Sequence, residues 1–253
     1  MRYLPLSDED RKQMLAECGL ASADELIAHV PSELRLTEPL KLPRGKSEYE
    51  VYEYFRQKAR ENCVDGPCFL GAGVYRHYQP AVIPALVSRA EYFTSYTPYQ
   101  AEISQGTLAT IFEFQTLMCQ LTGMEVANAS MYDGSTAMAE AALMARRLTG
   151  RDKVVVSRAI HPEYREVLRT YSRGQEAPVA EGNYEPRTGA TDLEDLRNLT
   201  DEQTAAVIIQ HPNFFGVLEP VAEAAEIAHQ QGALLVVVFA EAVAYGLLRP
   251  PAE

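Results

Sequence analysis

AAVIIQHPNFFGVLEPVAEAAEIAHQQGALLVVVF, residues 205–239, decides the fold. Ala205–Gln210 is a short continuous apolar run, the mark of a strand buried on both faces. A loop rich in aromatic and turn residues follows, and then an alanine-rich amphipathic helix predicted over 219–231, stopped by Gly232. A second and more apolar run, Ala233–Phe239, closes the unit. Strand, helix, strand at this spacing is a parallel crossover.

The same rhythm extends upstream. Lys153–Val156 reads as a buried strand, and His161-Pro162 opens a helix running to about 172. A strand near 177–180 and a helix over 191–199 complete the alternation. Before them, Leu108, Ile111, Phe112, Gln115, Met118 and Leu121 form a helical stripe ended by Gly123, and an alanine- and methionine-rich helix covers about 135–148. Gly71 and Gly73 mark a turn, and Pro80 suits the first position of a helix. Strands of four to eight apolar residues alternating with amphipathic helices indicate an α/β fold with a mostly parallel sheet. We take this large domain as 63–253 and residues 1–62 as a helical N-terminal arm. In the arm, Ser7 with Asp10 and Ser47 with Glu50 have capping-box spacing. They predict helices over 8–18 and 48–61, with another at 23–29 and a Pro31, Pro39, Pro43 region between. Val51, Tyr54, Phe55 and Lys58 give the last of these a partly apolar face, for its own domain or for another subunit.

Composition narrows the functional classes. The chain has 253 residues, 47% hydrophobic and 23% charged, an ordinary globular balance. A formal net charge of -12 argues against nonspecific nucleic-acid binding and against anionic membranes. No apolar run approaches the roughly 20 residues of a membrane span. The start, MRYLPLSDED, has neither a signal-peptide apolar region nor the look of a transit peptide, so the cytoplasm is the expected location. Cys18, Cys63, Cys68 and Cys119 contain no C-x-x-C pair, and neither a zinc site nor a disulfide framework is expected.

The polar concentration lies at 95–106, SYTPYQAEISQG. Such a loop gains little from burial, so its side chains are suited to hydrogen-bond something specific. An ordinary turn of satisfied polar groups is the competing reading. YTPYQAEISQG, followed by FQTLMCQLTGMEVANASMYDGSTAMAEA, resembles the glycine decarboxylase family, the P-protein of the glycine cleavage system, and most closely subunit 1 of its two-subunit form. Phe69-Leu70-Gly71-Ala72-Gly73-Val74-Tyr75 and His161-Pro162 fit the same family, and the likeness runs the length of the chain. It implies the large domain of a fold-type I pyridoxal 5'-phosphate (PLP) dependent transferase. More sheet and a smaller C-terminal domain would follow the 233–239 strand, so the chain reads as C-terminally truncated.

A PLP enzyme needs a Schiff-base lysine, a carboxylate facing the pyridine nitrogen and a phosphate cradle. The lysines are Lys12, Lys41, Lys46, Lys58 and Lys153, with none after the expected carboxylate strand. Glu241 stands where the carboxylate would, one methylene longer than aspartate; a structural or solvent-facing role is the expectation. Gly134-Ser135-Thr136 has the look of a cradle, but Asp133 before it is expected to cap the helix and repel phosphate. His161 and His211 are read as hydrogen-bonding residues at a helix start and a turn, while the asparagine of the 210–216 loop is placed near an active site.

The resemblance therefore implies a half-site. The lysine and the covalently bound PLP belong to a partner, glycine decarboxylase subunit 2. Glycine loses its carboxylate as CO2, and the aminomethyl group passes to the lipoyl arm of the H-protein. Tyr96, Tyr99 and Glu102 are the catalytic candidates and Gln100, Ser104 and Gln105 the cofactor-contacting ones, all across the interface. An inert pseudoenzyme of the same fold is the alternative; a self-sufficient PLP aminotransferase or desulfurase is disfavoured by the missing lysine.

Overall fold

The computed structural model describes residues 6–36, 38, 40–62, 65–73, 75–89, 97–175 and 177–252. The chain divides into two compact units, Met1–Cys68 and Phe69–Glu253.

The first unit is built from short capped helices. Helix α1 (Asp8–Glu17) starts at a full capping box: the Asp10 amide donates to Ser7 Oγ at 3.1 Å and the Ser7 amide to Asp10 Oδ2 at 2.8 Å. After α2 (Ala23–Leu26), α3 (Glu48–Arg60) begins with the same device, Ser47 and Glu50. The Ser–Asp and Ser–Glu spacings thus form as predicted, because each pair satisfies two amides that the helix cannot. None of these helices buries a residue.

The second unit holds α4 (Val82–Val87), α5 (Gln105–Thr122) and α6 (Gly134–Thr149), then β1 (Lys153–Ser157), α7 (Pro162–Arg173), β2 (Val179–Gly182), α8 (Leu193–Leu199), β3 (Thr204–Gln210), α9 (Val221–Gln230) and β4 (Leu234–Val238). The four strands form one sheet in the order β2-β1-β3-β4, and every pairing is parallel. Helices cover both faces, as parallel strands require. On one face Val154, Val156, Ala206 and Ile208 pack with Met138, Ala139, Ala142 and Ala145 of α6 and Leu168 of α7. On the other Val155, Val207 and Ile209 meet Leu196 of α8 and Ala224, Ile227 and Ala228 of α9. Neighbouring strand residues point to opposite faces, so each apolar run feeds both cores.

Several element limits differ from the sequence reading, and three of them have a clear physical reason. β2 covers 179–182 rather than 177–180. Its Glu181 is tolerated on a strand because Arg165 and Arg169 of α7 both pair with it. α8 begins at Leu193, since Asp192 caps it and Thr191 bridges to Tyr184. α9 begins at Val221, because Glu219 is buried in a hydrogen-bond network instead of starting the helix.

Candidate functional site

Strand order locates the first place to look. The connection after β1 uses α7 on one face, and the one after β3 uses α9 on the other. The C-terminal ends of β1 and β3 therefore flank the point where an open parallel sheet ordinarily binds its ligand. Here the chain's own loops cross that point. The Phe214 amide donates to the Ala159 carbonyl at 2.9 Å, and the His161 amide donates to Gln210 Oε1 at 2.9 Å. The Phe214 ring meets His161 edge-on at 5.0 Å, and Phe215 continues the contact to Tyr184 at 4.9 Å.

Beneath these rings lies a buried polar network. The Glu219 carboxylate, 5% exposed, accepts from the Thr191 amide at 3.0 and 3.1 Å and from Asn213 Nδ2 at 2.7 Å. Asn213 also donates to the Gly189 carbonyl and accepts from the Phe215 and Val217 amides. Every polar atom of this asparagine is thus committed to holding the loop. His211 Nδ1 accepts from the Glu219 amide at 2.9 Å, and burial, opposed by the Glu219 charge, holds this imidazole below its ordinary value. Sequence reasoning missed the network. Its one signal was an asparagine and a glutamate bracketing an aromatic loop, while Thr191 and Ser157, joined at 2.7 Å, reach it only through the fold.

The groups that could hold PLP can be tested one by one. The N-terminus of α6 is capped by Asp133, whose Oδ1 accepts from the Thr136 amide at 2.9 Å and from the Ser135 hydroxyl. The Ser135 hydrogen bond, then the Thr136 amide, hold its carboxyl below the usual range. The Tyr164 hydroxyl covers the same turn: a Cβ on Gly134 would lie 2.5 Å from it. Burial, and then the Asp133 charge, raise this phenol. An anionic carboxylate on the first turn and a ring above it do not fit a phosphate. Glu241 pairs with His77 Nε2 at 3.2 Å. His161 spends both nitrogens: Nδ1 accepts from the Glu163 amide at 3.2 Å, capping α7, and Nε2 lies 3.0 Å from the Ala72 carbonyl. Lys153 bridges to Asp201 at 2.6 Å at the opposite, N-terminal end of β1. Among the described residues, these groups therefore do not fit PLP.

The polar loop is differently built. Tyr96 and Ser95 lie outside the described residues, as do Pro39, Cys63 and Val74. Tyr99 is 85% exposed, Gln100, Glu102 and Gln105 are exposed, and Ser104 is half-buried. The backbone folds tightly, with the Ile103 and Ser104 amides both donating to the Gln100 carbonyl, and delivers the chain into α5. Ser104 is the first-turn cap residue of α5 but makes no side-chain cap bond. One turn thus brings Tyr99, Gln100, Glu102, Ser104 and Gln105 together on the surface. Cys119 is half-buried, and Cys18 and Cys68 are exposed thiols. Among the described residues there is no group of three metal-ligating side chains, and no helix is long and apolar enough to cross a membrane.

The sequence profile of the glycine cleavage system P-protein matches residues 1–253. The chain belongs to the P-protein family. It is 60% identical over 253 residues to the probable glycine dehydrogenase (decarboxylating) subunit 1 of Solibacter usitatus (strain Ellin6076), and 48% identical over 254 residues to that of Bacillus subtilis (strain 168). In both cases all of this chain is matched, and it spans 56% of the relative's length. A crystal structure of glycine decarboxylase (P-protein) in inhibitor-bound form superposes with a TM-score of 0.88 at 45% identity, covering 99% of this chain and 56% of that one. A sphingosine-1-phosphate lyase from Burkholderia pseudomallei shares the fold at 16% identity, with a TM-score of 0.59 over 82% of this chain and 51% of the lyase. The second unit of this P-protein family member is thus a fold-type I PLP-dependent transferase-like α/β domain.

Proposed function

We propose that this chain acts as subunit 1 of glycine dehydrogenase (decarboxylating). In this reading it completes, across an interface, a site whose cofactor and lysine belong to a partner, glycine decarboxylase subunit 2. The observation that carries the proposal is that, among the described residues, the cofactor handholds considered above are each engaged by the chain's own groups. Asp133 fills the α6 terminus, Glu241 is taken by His77, and both nitrogens of His161 are spent. An exposed polar-aromatic turn, Tyr99–Gln105, meanwhile presents its side chains outward. Homology supports the same reading, since the named relatives are themselves called subunit 1.

PLP, when bound by the partner, supplies the electron sink for loss of the glycine carboxylate. The residues of this chain bind and orient around it. Tyr96, Tyr99 and Glu102 serve the reacting end, Tyr and Glu being able to hold or position a proton. Gln100, Ser104 and Gln105 offer amide and hydroxyl donors to cofactor or substrate oxygens. The aminomethyl product passes to the lipoyl arm of the H-protein. The arm of residues 1–62 and the domain of 63–253 then serve assembly and site respectively, in the cytoplasm.

The test is visible absorbance of the chain with PLP, alone and with the lysine-bearing subunit, followed by glycine. The expected result is a cofactor band only in the mixture, which responds to glycine with CO2 release. A band with this chain alone overturns the reading. Assembly without any glycine response favours the second reading, an inert structural partner, which the same self-engaged groups also fit.

A further inference from the structure

Three loops meet at one side chain. The His161 ring lies between Tyr164, at 5.1 Å, and Phe214, at 5.0 Å, and its Nε2 reaches the Ala72 carbonyl at 3.0 Å. Gly71, Ala72 and Gly73 all have positive φ, 59°, 54° and 89°. A run of three left-handed residues, one of them alanine, holds only when its surroundings hold it. A Cβ on Gly73 would sit 3.5 Å from His161 Nε2, so the turn packs directly on the imidazole edge.

The hydrogen bonds determine which nitrogen carries the proton. Nδ1 accepts from the Glu163 amide, so it is unprotonated. Nε2 faces a carbonyl, which only accepts, so it bears the hydrogen. We propose that His161 is a positioning residue: as the neutral Nε2–H tautomer it pins the Gly71–Gly73 turn onto the C-terminal edge of β1 while capping α7. The pin joins the turn to the 211–217 loop and thereby fastens the edge of the sheet that this chain closes with its own residues. The claim concerns this chain alone; only its activity arm rests on the subunit reading above.

Two substitutions separate the two nitrogens. In His161→Asn the side-chain oxygen stands in for Nδ1 and keeps the cap, asparagine being a favoured cap residue, but nothing reaches Ala72. In His161→Gln the terminal amide stands in for Nε2 and keeps the pin. Nitrogen-15 histidine spectra of the full chain are expected to show Nε2–H. Hydrogen exchange in the peptide carrying Gly71–Gly73 should quicken about five-fold in H161N, the loss of one neutral hydrogen bond, and stay near wild type in H161Q. Paired with the lysine-bearing subunit, H161N should lose kcat by a similar factor with KM for glycine unchanged, and H161Q should restore it. An Nδ1–H signal, unchanged exchange in H161N, equal loosening in both variants, or wild-type kcat in H161N paired with an active partner would overturn the proposal. If the wild-type mixture turns over no glycine, the subunit reading fails, and the spectra and exchange still judge the pin.

Discussion

Strands β3 and β4 lie side by side in register from Ala206–Leu234 to Gln210–Val238, yet they sit in different surroundings. All seven residues of β3 are buried, including Thr204 and Gln210. In β4, the more uniformly apolar strand, Leu234 is 37% exposed and only Val238 is buried. β3 has a strand on each side and helices on both faces, whereas β4, among the described residues, has one strand neighbour. Burial here follows position in the sheet, not composition. A continuous apolar run predicts a strand, but not whether its sides are covered.

Four experiments would break or sharpen that contrast. Ile208→Ala empties a fully buried site between α6 and the sheet and is expected to cost about 2–5 kcal/mol in denaturant unfolding. Val236→Ala, on a half-buried β4 position packed against the same cluster, should cost about 1–2 kcal/mol, from about 0.8 kcal/mol per methylene. If the two losses are equal, the strands are equally enclosed and the contrast fails. Leu234→Ser, at the more exposed end of β4, should cost about 1 kcal/mol or less, since part of this side chain already meets solvent.

The fourth concerns where the strands end. The His211 amide donates to the Val238 carbonyl at 2.8 Å, and the Tyr245 hydroxyl donates to the His211 carbonyl at 3.1 Å. Burial depresses the His211 imidazole from its ordinary value of 6.5. Below 6.5 the unfolded chain takes up a proton that the folded chain resists, so the contribution is complete above 6.5 and falls as pH drops through it towards the lower folded value. Stability measured across that range should slope downward with acid, and His211→Gln should flatten the slope. An unchanged slope would place His211 outside the buried region.

Much of the fold was legible because local rules operate locally. Ser7 with Asp10, Ser47 with Glu50, Pro162 at the start of α7 and Gly123 at the end of α5 each satisfy or terminate a helix within a few residues. Asp133 was legible as a cap for the same reason, and the structure shows it there. The expectation that His161 and His211 serve as hydrogen-bonding residues at a helix start and a turn matches the bonds they make. Asn213 is the instructive case: expected near an active site, it is 4% exposed and fully occupied by its own loop and Glu219. Nothing within the 210–216 loop could reveal that, because three of its partners, Gly189, Val217 and Glu219, come from outside it.

By itself, the sequence determined the apolar periods, the caps, the parallel α/β class and the family, all carried by residues within a turn or a short motif of one another. The tertiary structure alone decided that the C-terminal edge of β1 and β3 is crossed by the chain's own loops. It also decided that Glu241 is taken by His77, and that His161 reaches back to Ala72. Those contacts join residues far apart in the chain, and only the packing of the sheet and its loops brings such groups within hydrogen-bond reach.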